Sequence, residues 1–350
     1  MAVGDSSNFA GESYLIIGRE STYGTYVTGT ASLPFLSSSM KMLKEGKILE
    51  QIEVGRTYSK RIELGKVVEG DVECYFYPQM TACGYLLTQA MGGALTSATS
   101  TGETVGGAAM DHTINIGNLD DQTYKSLSFN MRKGHSLTGQ IFEYNGLRIN
   151  ELNFTAELDE SLKMSASFVG KDASTTTNDL SATIGNTTVS TLVFTNGRVS
   201  VEGSIGSLTS TSFWHVQSVN FGVSNNLKSD NESRRIGSDT LVVLPMGIAN
   251  FPVSVTMRFD TTTAYAAMIA QSKFSMQLHF QGPTMTGSAI REGLKITFPS
   301  VYINDAGDPE IGGPDEILTS EVAFHVLKDD TTTTGYAMQA VLTNRVQNYT

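Results

Sequence analysis

The chain has 350 residues, enough for two domains of ordinary size, and a net charge of −11. Charged residues make up only 17% of it while Gly, Ser and Thr are abundant, a balance that favours β-rich structure over long helices. The acidic surface excludes tight binding to nucleic-acid phosphates, which needs clustered Lys and Arg, but suits a surface that DNA passes without sticking.

At the start, Met1-Ala2-Val3-Gly4-Asp5 lacks a basic stretch followed by an apolar run, so no secretion signal is expected. No stretch reaches the roughly 18 apolar residues of a membrane helix, and no membrane insertion is expected. A polar segment runs from Lys44 through Glu53, Arg56, Lys60, Arg61 and Glu63 to Lys66. It is too polar for a core strand and is expected to project as a long loop or hairpin arm. A strand over residues 72–76 then leads into a helix. Pro78 suits the first helical position, Met80, Cys83, Leu87 and Met91 follow helical spacing, and Gly92-Gly93 stops it. Cys74 and Cys83 are expected as buried thiols, since no CxxC pair supports a zinc or redox site. Residues 92–108 hold too few large apolar side chains to be expected to pack well.

Asn145-Gly146 is expected to form a tight hairpin turn, because both residues tolerate positive φ. Leu147 and Ile149 alternate after it. The phase then slips by one, giving Leu152, Phe154, Ala156 and Leu158, and the extra residue near Asn150-Glu151 predicts a β-bulge. Asp159-Glu160-Ser161 turns the chain into a strand with Leu162, Met164, Ala166 and Phe168 on one face. The Thr-rich residues 171–191 are expected to be a linker.

The second half repeats this plan. A polar segment runs from Asn225-Asn226-Leu227-Lys228 through Arg234-Arg235. A strand over residues 255–259 precedes a helix capped by Asp260, with Ala264, Ala267 and Met268 on its apolar side. Leu294, Ile296 and Phe298 alternate, the phase slips at Pro299-Ser300, and Val301 and Ile303 follow. The loop over residues 304–315 replaces a short turn, and Leu318, Val322, Phe324 and Val326 share one face of the return strand. Val72-Glu73-Cys74-Tyr75-Phe76 lies over Val255-Thr256-Met257-Arg258-Phe259 at an offset of 183, and Gly146-Leu147-Arg148-Ile149 over Gly293-Leu294-Lys295-Ile296 at an offset of 147. Matching blocks in the same order point to tandem duplication, which suits a protein that builds symmetry. The expected organisation is a first domain over 1–175, a linker over 176–192 and a second domain over 193–350.

Catalytic signals are lacking. The five histidines, His112, His135, His215, His279 and His325, are dispersed, with none at HxH or HxxxH spacing, so structural roles are expected. Nucleotide-binding glycine loops are absent. Residues 304–310 are rich in oxygen ligands but lack calcium-loop spacing, and read as an acidic turn. Trp214, beside Phe213 and Val216, reads as core. Neither enzyme activity, a metal nor a cofactor is expected.

The run from Phe213 to Leu227, then Ser233-Arg234-Arg235-Ile236, then Leu244-Pro245-Met246-Gly247, resembles tail tube proteins of long-tailed bacterial viruses. Gly55-Arg56-Thr57-Tyr58-Ser59-Lys60-Arg61 and Glu69-Gly70-Asp71-Val72 are the first-half counterparts. The resemblance spans roughly residues 14 to 330. It implies a mainly β fold of two tandem tail-tube-like β-sandwich domains, each with one short flanking helix. It further implies rings joined sheet edge to sheet edge, with three duplicated chains in a pseudo-six-fold ring. Such rings would stack, in the virion tail, into a hollow tube that conducts phage DNA without specific binding. Implied partners are further copies of the chain, a tape-measure protein, tail terminator or baseplate proteins, and a sheath protein where the tail contracts; assembly would take place in the host cytoplasm. Glu53, Arg56, Lys60, Arg61, Glu63, Lys228, Arg234 and Arg235, on the two arms, are the expected inter-ring contacts. The alternative is a virion decoration or adhesin built from two β-sandwiches that never polymerises.

Overall fold

Alternating apolar residues lay down most of the strands, and one computed structural model describes residues 10–51, 57–101, 103, 109–135, 140–185, 189–208, 214–259, 263–307, 318–329 and 335–349. In chain order the first half holds β1 (Tyr14–Glu20), β2 (Ala31–Ser32), β3 (Ser37–Ser38), β4 (Lys41–Ile48), β5 (Arg61–Tyr75), α1 (Thr81–Met91), β6 (Gly92–Thr99), β7 (Met110–Ile116), β8 (Ser126–Lys133), β9 (Gln140–Glu157), β10 (Lys163–Gly170) and β11 (Asp172–Thr176). The second half holds β12 (Gly197–Glu202), β13 (Val216–Ser224), β14 (Val253–Arg258), α2 (Thr263–Ile269), β15 (Lys273–Thr284), β16 (Arg291–Asp305), β17 (Thr319–Val326) and β18 (Gln339–Asn344). The fold is mainly β, and every pairing between these strands is antiparallel.

The pairing plan of the first half recurs in the second. β1 pairs with β8, β8 with β9, and β9 with β11; likewise β12 pairs with β15, β15 with β16, and β16 with β18. The far end of β9 pairs with β10, β10 with β5, and β5 with β3 and β4; likewise β16 pairs with β17, β17 with β14, and β14 with β13. The registers agree as well. Phe168 faces Gly70 and Phe324 faces Val253; Gly70 and Val253 differ by 183, the offset of the block that follows them, and the two phenylalanines, on the return strands, differ by 156.

Bulges sit where the hydrophobic phase slips. Ser167 faces Glu151 while Phe168 faces Ile149, so Asn150 is the extra residue. Phe324 faces Ile303 while Ala323 faces Asp305, so Asn304 is the extra residue at the corresponding place. A further slip leaves Pro299 and Ser300 between the pairs Phe298–Met276 and Val301–Phe274.

Asn145-Gly146 makes no hairpin. Both residues lie inside the continuous strand β9, where Gly146 has φ 65° and the pairing with β8 skips a residue. The positive φ that suits a tight turn serves a bulge equally well. The bend lets residues before it pair with β8 and β11, and residues after it pair with β10 and β13. The buried carboxylate of Glu20 holds it. It accepts from Ser126 Oγ at 2.5 Å, Ser128 Oγ at 2.6 Å, Gly24 N at 2.9 Å and Gly146 N at 3.0 Å. Burial raises the Glu20 pKa above its ordinary value, against the lowering effect of these donors. The proton is therefore held more tightly in the folded chain, so this group's contribution to stability is full below pH about 4.5 and is lost as pH rises through the raised pKa. Glu20→Gln should flatten that segment of the pH–stability curve, read by thermal melts across pH 4 to 8.

Other expectations are corrected. α1 begins at Thr81, because Met80 is extended at φ −85° and ψ 124°; Pro78 sits in the preceding turn, where its carbonyl accepts from Asn344 Nδ2 at 2.6 Å. Gly92, at φ 72°, ends the helix as expected. Residues 92–99 form β6, since ladder bonds to β7 need no large side chains. The Thr-rich stretch likewise starts with a strand, β11, on β9. Leu158 lies past the strand end and is exposed, while Leu152, Phe154 and Ala156 are buried. Asp260 and residues 308–315 lie outside the described residues, as does the side chain of Ala264.

One hydrophobic core runs through both halves. Cys74 and Cys83 are free and buried in it, and burial pushes the Cys83 thiol up to about 12. Trp214 is half-buried against Phe324. α1 is buried on almost all sides, and the Tyr349 ring lies on Gly84. α2 instead exposes Tyr265 and Ile269.

Candidate self-assembly surface

The two halves meet by joining sheets. β13 pairs along β9 from Ser218–Glu157 to Ser224–Glu151, so β3/β4, β5, β10, β9, β13, β14, β17 and the end of β16 form one continuous sheet. A stacked aromatic pair crosses the joint, Phe154 on Phe221 at 4.9 Å, and Phe221 stacks in turn on Phe280 of the second half at 6.0 Å. Phe76 meets Phe154 edge-on at 5.6 Å.

Strand alternation gives this sheet two unlike faces. One carries Val72, Phe168, Phe154, Phe221, Val255 and Phe324, all buried in the core. The other carries Glu69, Asp71, Glu73, Glu151, Glu157, Asp305 and Glu321, interspersed with Ser165, Ser167, Asn153, Thr155, Asn220, Ser254 and Thr256. Its cations are Lys41, Lys163, Arg258 and, buried beneath the second arm, Arg148, so carboxylates dominate.

The arms differ. In the first, β4 and the start of β5 form a hairpin that exposes Met42, Ile48, Tyr58, Ile62 and Leu64; Tyr58 is 61% exposed. Lys60, Arg61 and Glu63 are exposed on it, and Glu63 pairs with Lys44 at 2.5 Å, which lowers the Glu63 pKa. Glu53 and Arg56 lie outside the described residues.

The second arm folds sideways onto the first half. Asn225 N donates to Asn150 O at 2.7 Å and Leu227 N to Asn150 Oδ1 at 2.8 Å, at the bulge. Asn225 Nδ2 donates to Ala90 O and Ile149 O. Arg148 Nη1 donates to Leu244 O at 2.8 Å, and Leu241 and Leu244 pack on Val67. Arg234 lies over Gly65 and within 3.9 Å of Glu45, while Lys228 and Arg235 are exposed. The residues that make this lateral contact, Asn150, Arg148, Asn225, Leu241 and Leu244, were not singled out as contacts by the sequence. Isolated asparagines and leucines in a polar loop carry no periodicity.

Histidine chemistry is not assembled on this surface. His112 is buried, with Nδ1 2.8 Å from Ser97 Oγ and Nε2 2.7 Å from Val346 O. His325 faces away from Phe324 and is exposed. Among the described residues, no group of three or more His, Cys, Asp or Glu could hold a metal, and no helix is long and apolar enough to cross a membrane.

The family model described as phage tail tube protein matches residues 12–326. The chain belongs to this family. A tail tube protein is a structural component of the virion tail, not an enzyme. Among solved structures, the tail tube chain is similar to one titled "Crystal structure of Hcp protein", at 13% identity, over 43% of this chain and 98% of that one, with a TM-score of 0.25. No curated protein matches.

Proposed function

We propose that this tail tube protein assembles into rings of three chains, each chain supplying two equivalent sandwich domains, and that the rings stack into a hollow tube conducting phage DNA. The carrying observation is the β9–β13 joint, which already joins two similarly paired halves edge to edge. The same joint repeated between chains closes the sheet and leaves no open edge. The domain boundaries proposed are 1–175 and 193–350, with 176–192 between.

In this reading the polar face of the shared sheet lines the bore. Its carboxylates repel DNA phosphates and let the genome slide. The exposed part of the first arm, with Lys60, Arg61 and Glu63, and the exposed Lys228 and Arg235 are proposed to reach the next ring, as are Glu53 and Arg56. Arg234 is proposed to brace the arms against each other. Tape-measure, terminator or baseplate proteins are proposed as end partners, with a sheath protein outside a contractile tail, and assembly is proposed to occur in the host cytoplasm. Negative-stain microscopy of the purified protein tests this. Tubes with regular striations are expected; dispersed single particles at all concentrations would favour a decoration or adhesin module. Reversing Lys60, Arg61 and Lys228 to Glu should leave the melting temperature within a few degrees and shorten or abolish tubes.

A further inference from the structure

The joint inside the chain has an unfilled counterpart at each end of the sheet. Among the described residues, β4 pairs only with β5, whereas its counterpart β13 pairs with both β14 and β9. At the other end, Asn304 forms the same bulge as Asn150 and is exposed, and among the described residues no arm lies on it. Gly65 is covered by Arg234, while the corresponding Ile248 is 90% exposed.

Building on the proposed tube assembly, we propose that residues 41–44, the root of the first arm, pair antiparallel with residues 304–307 of a neighbouring chain in the same ring. The register follows from the internal joint. Ser224 faces Glu151 and Asn225 N donates to Asn150 O, so Ser224–Glu151 is a pair without mutual ladder bonds. Leu43 faces Val67 as Ser224 bridges to Asn250, which makes Leu43 the counterpart of Ser224. Asp305 is the counterpart of Glu151. Leu43 therefore faces the neighbour's Asp305, and Lys44 N donates to the neighbour's Asn304 O.

Chemistry at the two edges is complementary. On one edge Lys41 shares a face with Leu43, and on the other Asp305 lies on the face that would meet it. The amides of Met42 and Lys44 point away from β5, since Ser39 N donates to Asp71 O and alternate residues bond alternate sides. The first arm is thus a clasp between neighbours around the ring at its root, while only its tip is left to reach another ring. The second arm already behaves in this way on its own first half.

Paired cysteines test the register. Opposed residues in such a pair have Cα atoms about 4.5 Å apart, within disulfide range. The double variant Leu43→Cys with Asp305→Cys, assembled and mildly oxidised, should give a non-reducing gel ladder that ends at three chains. Neither single variant should give one, because Cys74 and Cys83 are buried. Tubes without cross-links would overturn the clasp and leave the tube itself standing, whereas a ladder running on past three chains would overturn the three-chain ring. Absence of tubes from the unsubstituted chain would overturn both. Hydrogen exchange on the unsubstituted chain needs no variant: the Met42 and Lys44 amides should slow at least about tenfold on assembly, and unchanged rates would sink the proposal.

Discussion

Phe221→Ala is expected to lower the stability of the chain by about 3–5 kcal/mol, the range for removing a buried aromatic ring. Phe221 is 1% exposed and sits directly opposite Phe154 across the joint. Its ring stacks on Phe154 from the first half and on Phe280 from the second. Truncation removes both stacking partners' contacts and opens a cavity where the halves meet, which neither sheet can collapse to fill. Phe221→Leu should cost markedly less, because it keeps most of the volume. Asn220→Ala, on the exposed face of the same strand, should stay within about 0.5 kcal/mol. Denaturant unfolding of the three variants reads the ranking. Equal losses for Phe221→Ala and Asn220→Ala would contradict the packing account.

The second large effect concerns passage rather than folding. Glu69, Asp71 and Glu73 follow one another along the polar face of β5. They stand opposite Val169, Ser167 and Ser165, and the hydrogen bonds that Asp71 and Glu73 accept from Ser39 Oγ and Ser37 Oγ are exposed. Exchanging all three for Lys moves the local charge by two units at each site, repeated around every ring. The fold should survive, because Asp71 is exposed and its neighbours are half-buried. Tubes should still form, but they should now bind DNA in a salt-dependent way, and infectivity should fall. Retention of DNA by isolated tubes, compared at low and high salt, gives the direct reading. Wild-type infectivity with the three lysines in place would show that this face does not meet the genome.

Backbone periodicity made much of the fold legible in the sequence. The slips at Asn150 and at Pro299-Ser300 correspond to real bulges, because a phase change in alternating apolar residues requires an extra residue between paired strands. The block offsets agree with sheet register for the same reason. Asn145-Gly146 misled because positive φ is a local property, while the choice between turn and bulge depends on whether β8 and β11 lie alongside. Residues 92–99 misled because a ladder is made of backbone bonds, which composition does not report.

The candidate assembly surface was less legible. Charged arms stand out as polar runs, so Lys60, Arg61, Glu63 and Lys228 are visible at once, and they are exposed. Where an arm goes is decided by single contacts, such as Leu227 N on Asn150 Oδ1 or Leu244 against Val67. Neither has a sequence signature. The sideways course of the second arm therefore emerged only with the fold, and it is the ground for proposing that the first arm's root meets the next chain.

Counting chains per ring tests the central claim most directly, that a joint made once inside the chain is made again between chains. Cryo-electron microscopy of purified tubes, with mass per unit length measured alongside, supplies the count. Three chains in a ring of six similar domains, with sheet running unbroken through both kinds of joint, is the predicted result. Six chains per ring, or a gap in the sheet between neighbouring chains, would contradict it.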